Sequence, residues 1–199
     1  MESKAALRRR ITHTRERRTP DERADAGARL ADHGVPAWRG LKVVAGHAAV
    51  GAEPPTRALL DGLRATGVTV WLPVIDADRL DGAGLDWAPY EGWDLLVTGP
   101  FGLREPAGPR LGPDAPARAD LVVVPALAVD AAGHRLGRGG GFYDRALAGV
   151  HVPLVAVVYD DERVDAVMTE PHDVAVDAVL SPAMGLTRVE RDGARQPPG

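Results

Sequence analysis

The chain has 199 residues, 45% of them hydrophobic, which suits one globular domain with a sizeable core. It contains no cysteine, which excludes disulfides, thiolate metal sites and cysteine nucleophiles. Ser3 and Ser181 are the only serines and neither lies in a G-x-S-x-G pattern, so covalent catalysis through Ser or Cys has no candidate. The formal net charge of -4 and pI near 5.9 argue against a dedicated nucleic-acid binder. No apolar run approaches the ~18 residues of a membrane span, and the charged start lacks the apolar core of a signal peptide. The expectation is a cytoplasmic protein with no membrane or nucleic-acid partner.

In chain order, Lys4 to Arg18 lacks Gly and Pro and predicts a first helix. Thr19-Pro20-Asp21-Glu22 is a helix start, with Thr19 as N-cap, Pro20 at the first position and Glu22 closing a capping box. That second helix is expected to reach about His33 and stop at Gly34. Leu41 to Gly46 reads as a short buried strand, Arg57 to Ala65 as a helix, and Val68 to Pro73 as the next strand. The stretch from Val74 to Pro116, rich in Gly, Pro and Asp, predicts short antiparallel strands and loops. Within it, Asp76 to Gly82 looks superficially like a calcium loop, but it lacks the acid at the fifth position and has Trp87 where the closing Glu belongs. Leu121 to Pro125 is the clearest buried strand. A helix from Phe142 to Ala148 and strands at Pro153 to Tyr159 and Val174 to Leu180 follow, with residues 191–199 expected to be a disordered tail. Strand–helix–strand order with short links predicts an α/β fold, a single domain over residues 1–190 with a mostly parallel central sheet.

The segment His134-Arg135-Leu136-Gly137-Arg138-Gly139-Gly140-Gly141-Phe142-Tyr143-Asp144 carries the most chemistry. Four glycines in five positions between a strand and a helix leave backbone N–H groups free to face an anion. Arg135 and Arg138 add fixed charge suited to phosphate, and Asp144 is placed to meet a metal ion carried by phosphates. On its own the cluster reads first as a flexible turn, ahead of an anion site. It is neither a Walker loop, since no Gly-Lys-Ser/Thr follows, nor a dinucleotide fingerprint, since the spacing fails at Phe142. Lys4 and Arg8, four apart, share one helix face, and a lysine in a first turn opposes the helix dipole. With Arg9, Arg10, Arg15, Arg17 and Arg18 nearby, they read as a solvated basic face or as ligands. Glu53 sits just beyond a strand, where open α/β sheets place their ligands.

The run Val124-Pro125-Ala126-Leu127-Ala128-Val129-Asp130, then Gly133 and Arg135 to Arg145, closely resembles the signature of the 5-formyltetrahydrofolate cyclo-ligase family. The likeness extends over about residues 4 to 182 through Lys4-x-x-Leu7-Arg8, Glu53-x-x-Thr56, Glu105-Pro106 and Pro171-His172-Asp173…Asp177. The resemblance implies a three-layer fold of the NagB/RpiA/CoA-transferase type. It implies an ATP- and Mg²⁺-dependent monomer that closes 5-formyltetrahydrofolate, free or polyglutamylated, to 5,10-methenyltetrahydrofolate. A folate- or nucleotide-binding relative without catalysis is the alternative.

Carried over residue by residue, the resemblance assigns ATP to Lys4, Arg8, Arg135, Leu136, Gly137, Arg138, Gly139, Gly140, Gly141, Phe142 and Tyr143. It assigns the folate to Ala48, Glu53, Phe142 and Tyr143, with Glu53 accepting from the pterin and Tyr143 facing the formyl group. Arg138 and Tyr143 are the implied catalytic residues, and Asp144 and Asp177 the implied Mg²⁺ ligands. His172 and Asp173 are implied to shape a loop. The chain departs from the family's pattern at Phe142, commonly Tyr, at Glu162, often Gln, and at Gly140, where some members carry Lys.

Overall fold

The computed structural model describes residues 2–75 and 85–190. Two helices, α1 (Lys4–Glu16) and α2 (Pro20–Trp38), precede strand β1 (Val43–Ala45) and helix α3 (Arg57–Ala65). Strands β2 (Thr69–Ile75), β3 (Leu85–Pro89), β4 (Leu96–Thr98) and β5 (Arg104–Pro106) follow. Next come β6 (Leu121–Pro125), β7 (Ala128–Asp130), β8 (Arg135–Leu136) and helix α4 (Phe142–Ala146). The chain closes with β9 (Leu154–Val157), β10 (Arg163–Val164), β11 (Ala178–Ser181) and β12 (Gly185–Arg188). Asp76 to Gly82 and the tail 191–199, both singled out above, lie outside the described residues.

Among the described residues the main sheet has the order β12-β11-β9-β6-β1-β2-β3. Its five inner strands are parallel, and β3 and β12 close the edges antiparallel. The parallel strands are near-continuous Val, Leu and Ala because both faces are covered. Val44, Val70, Leu72, Leu121, Val123, Val155 and Val157 pack on one face with Leu30 and Trp38 of α2 and Leu59, Leu60 and Leu63 of α3. Ala45, Val122, Val124, Leu154 and Ala156 point the other way, onto Trp87 and Leu147. Each fully buried Leu or Val contributes roughly 1.5–3 kcal/mol of transfer free energy. The helical part of this second layer is thin: α4 spans five residues, and the turn Ala115–Arg118 and loop residues such as Val174 and Val176 pack beside it.

Helix α2 corrects the expected stop at Gly34. Gly34 lies inside the helix, and a Cβ there would come within 2.6 Å of Leu59 Cδ1. A Cβ on Gly62 of α3 would come equally close, 2.6 Å, to Val35 Cγ2. Both glycines serve the close approach of two helices rather than a left-handed turn. The helix ends only after Pro36, which falls in its last turn, and buried Trp38. The capping box at Thr19 and Glu22 forms as expected. Strands β7, β8, β10 and β12, too short or too polar to show as apolar runs, complete the fold as a small second sheet and an edge.

Candidate active site

The strand order reverses between β1, whose crossover through α3 leads outward to β2, and β6, which leads to β9 and β11 on the other side. Open α/β sheets bind ligands at such a point, outside the carboxyl ends of the strands. A cleft of about 470 Å³ opens there, within the range of small-molecule sites. His47 and Ala48, following β1, and Pro125 and Ala126, at the end of β6, form its floor. Every residue assigned above to ATP or folate lines this one cleft, and so does Asp144.

The β7–β8 hairpin aims the glycine loop. Gly133 turns the hairpin at φ 83°, where a Cβ would collide with the Val176 carbonyl. Gly139 and Gly141 hold φ values of 104° and 65°, which side-chain-bearing residues rarely adopt. Arg8 Nε donates to the Gly137 carbonyl at 2.9 Å, bringing α1 onto the loop. Arg145 Nη2 donates to the Gly140 carbonyl at 2.9 Å. Because α4 has only five residues, its dipole is small. Positive charge at the cleft comes from the basic side chains and not from a long helix.

Two arginines of the loop segment differ in role. Arg135 is buried, donating to the Val174 carbonyl and, at 2.7 Å, to Asp144 Oδ1. Burial pulls its pKa down and the Asp144 charge opposes that shift. Arg135 is an internal brace. Arg138 is the exposed one, and its Nε and Nη2 lie 3.0 and 2.9 Å from Glu53 Oε1. The other Glu53 oxygen accepts from Val50 N–H at 2.8 Å. Thr56 leaves helix α3 uncapped by its side chain and instead ties the β1 loop, accepting from Ala49 N–H and donating to the His47 carbonyl. Glu53 therefore faces the cleft rather than capping α3.

Tyr143 packs between the loop and the sheet; burial, then the nearby Glu53 charge, raises its hydroxyl pKa well above the ordinary value. His47 is buried beside the Val123 carbonyl, and burial lowers its pKa. Lys4 Nζ lies 2.9 Å from Asp173 Oδ2 and 3.1 Å from Glu170 Oε1. Burial opposes its charge, but these two carboxylates outweigh that and raise its pKa.

The implied metal pair does not assemble. Asp144 is at the cleft, with its side chain 22% exposed and bonded to Arg135 and the Val174 N–H. Asp177 is fully buried at the opposite, amino-terminal edge of the sheet. Just before β11, it accepts from the Leu154 N–H that opens β9. Asp120, just before β6, does the same for Lys42 and Val43 at the start of β1. Asp177 is thus half of a repeated strand-start cap, outside the cleft. Among the described residues no group of three His or acidic side chains is spaced to hold a metal alone. Asp144 suits the more economical arrangement in which Mg²⁺ takes one carboxylate and otherwise phosphate oxygens and water.

The apolar half of the cleft escaped residue-by-residue reading. Ile75, Leu85, Phe101 and Leu103 line it, and Phe101 is 73% exposed with φ 57° at the β4–β5 tip. Glu105, quoted above only as a landmark, is buried and accepts from Ile75 N–H at 2.9 Å; burial raises its pKa. The Gly-Pro-Phe-Gly stretch signals a tight turn but not which cavity it borders.

The 5-formyltetrahydrofolate cyclo-ligase family model matches residues 1–182. A 5-formyltetrahydrofolate cyclo-ligase of Mycolicibacterium smegmatis is 47% identical over 157 residues, covering 74% of this chain and 79% of that protein. One from Escherichia coli K12 is 28% identical over 178 residues, 87% of this chain and 97% of that one. Among solved structures, the 5,10-methenyltetrahydrofolate synthetase of Aquifex aeolicus superposes with a TM-score of 0.77 at 24% identity, covering 97% of this chain and 96% of that one. The synthetase of Mycoplasma pneumoniae gives 0.69 at 18% identity, covering 89% and 98%; both likenesses concern the fold. The chain belongs to the 5-formyltetrahydrofolate cyclo-ligase family.

Proposed function

We propose that the protein closes 5-formyltetrahydrofolate to 5,10-methenyltetrahydrofolate at the expense of ATP, releasing ADP and phosphate. The observation that carries this reading is the convergence, in one cleft, of a glycine loop, Lys4, Arg8 and Arg138 with Glu53, Tyr143 and Asp144. A formyl amide oxygen is a poor leaving group. Its attack on the γ-phosphorus forms a C–O–P link and breaks the bond to ADP. N10 then attacks the formyl carbon, the C–O bond breaks with loss of inorganic phosphate, and N10 gives up its proton. No protein nucleophile is required, which agrees with a chain lacking Cys and nearly lacking Ser.

The protein's contribution is positioning and charge. Arg138, Lys4, Arg8 and the loop amides neutralise phosphate oxygens. Glu53 accepts from the pterin N–H groups, a role for which it must exchange the Arg138 guanidinium it holds in the free protein. That exchange sends Arg138 towards the phosphates as folate takes Glu53. Ala48 and Phe142 bound the folate, and the Tyr143 hydroxyl, held protonated, donates towards the formyl group. Asp144 would hold Mg²⁺ together with phosphate oxygens, and the ion would supply further neutralisation of the transferred group. The same reading takes the enzyme as a cytoplasmic monomer acting on free or polyglutamylated folate. No helix among the described residues is long and apolar enough to cross a membrane.

The test is to mix purified protein, MgATP and 5-formyltetrahydrofolate and follow the absorbance of the methenyl product. Product should form only when all three are present, with one ADP per turnover. Binding of ATP and folate with no product would favour a non-catalytic relative.

A further inference from the structure

Helix α1 is attached differently from the rest of the molecule. Its buried residues are Leu7, Ile11 and Arg15, spaced four apart, so its inward stripe holds only two apolar side chains. Those two pack with Leu127, Ala128, Leu136 and Val167, a cluster separate from both faces of the main sheet. The third, Arg15, is 3% exposed and meets Glu162, which is 1% exposed, in a fork. Arg15 Nε lies 2.6 Å from Oε1 and Nη2 2.7 Å from Oε2, while Nη2 also donates to the Ala126 carbonyl at 2.6 Å. Glu162 Oε2 accepts a further bond from Tyr159 N–H at 2.9 Å. Both anchor points lie beyond the carboxyl ends of central strands, Ala126 after β6 and Glu162 after β9, and Ala126 lines the cleft.

Arg8 and Lys4 stand seven and eleven residues before Arg15 on the same helix. At ~3.6 residues per turn these are nearly two and three whole turns, so the three cations share one line along α1. The far end of that line is tied more loosely, by Lys4 to Glu170 and Asp173, with Glu170 54% exposed. The forked geometry fixes rotation and translation of the helix at once, which two apolar contacts cannot do.

We propose that Arg15 and Glu162 are positioning residues for nucleotide binding: their buried fork sets the register of α1 so that Arg8 and Lys4 meet the phosphates. The inference rests on the ATP-dependent reading above. It also accounts for Glu162, where the family often has Gln, since here the carboxylate balances the Arg15 charge. Replacing Arg15 alone would strand a buried carboxylate and endanger folding. The informative variant is therefore Arg15→Met combined with Glu162→Gln, which removes both charges and keeps an acceptor for Tyr159 N–H.

Steady-state constants are measured for wild type, the double variant and Glu162→Gln, alongside thermal unfolding and equilibrium binding of a fluorescent ATP analogue without folate. In the double variant we expect KM for ATP and Kd for the analogue to rise roughly tenfold, because small misplacements of binding groups are costly. KM for folate should stay within about twofold and kcat at saturation within about threefold. Glu162→Gln alone, retaining the Ala126 bond and one fork contact, should fall between. A folded double variant with unchanged analogue binding, or with both KM values rising together, overturns the proposal. Absence of turnover in the wild type would instead overturn the enzyme reading and the proposal with it.

Discussion

At the scale of single residues, the structure separates groups that look alike in the sequence. Arg135 and Arg138 stand three apart in one loop segment, yet one is a buried brace and the other an exposed arm on Glu53. Asp144 and Asp177 are likewise divided between cleft and strand cap. We predict that Asp144→Asn lowers turnover by at least about a hundredfold and shifts its Mg²⁺ dependence, and that it also lowers the unfolding temperature, because buried Arg135 loses its counter-charge. Asp177→Asn should cost about 1–3 kcal/mol of stability through the weakened bond to Leu154 N–H while leaving the Mg²⁺ dependence unchanged. Chemical denaturation and Mg²⁺ titrations of the two variants check this; a shifted Mg²⁺ dependence in Asp177→Asn would return that residue to the metal. Tyr143 makes a pH prediction. Its folded pKa is raised, chiefly by burial, so its contribution to stability is complete below the unfolded value near 10 and lost as pH rises beyond it. The Tyr143→Phe difference in stability, measured between pH 6 and 11, should therefore change only above about pH 10. None of these divisions is legible in the sequence, because spacing shows that a charge is near a loop but not whether its neighbours bury it.

At the scale of elements, periodicity and caps located most helices and central strands, because those signals arise within a few residues. The Thr19 box and the strand at Leu121–Pro125 are of this kind. The helix stop at Gly34 failed because a glycine marks either a left-handed cap or a close approach, and only the neighbouring helix decides. That distinction is testable. Gly→Ala inside a helix normally stabilises by about 1 kcal/mol. At Gly34 the added methyl would press on Leu59, with Leu180 and Trp38 each at 3.3 Å, all in the core. Gly34→Ala should therefore destabilise by about 1–3 kcal/mol, as overpacking does, seen as a lower denaturation midpoint. A stabilised variant would mean that the two helices are free to part. Helix α1 shows the other limit of local reading: its basic residues predict a helix face, but the use of Arg15 depends on Glu162, 147 positions away.

At the scale of the whole molecule, the reversal of strand order between β1 and β6 organises the chemistry. It brings the loop after β1, with Glu53, and the loop after β8, with its glycines, to one cleft, to which α1 adds Lys4 and Arg8. In the proposed function folate and nucleotide share this cleft, and the Glu53–Arg138 pair stands between them. The family resemblance anticipated this meeting, since Lys4, Glu53 and Arg138 are too far apart in sequence for any motif to join them. What it did not supply was the apolar half of the cleft, built from the edge strands and the β4–β5 tip, where short irregular segments carry no periodic signal.

The central claim is that the formyl oxygen is phosphorylated in this cleft. The most direct measurement uses 5-formyltetrahydrofolate labelled with ¹⁸O in the formyl group, turned over with MgATP, followed by mass spectrometry of the released phosphate. The account predicts one labelled oxygen in each phosphate formed. Unlabelled phosphate, with the methenyl product still accumulating, would contradict it.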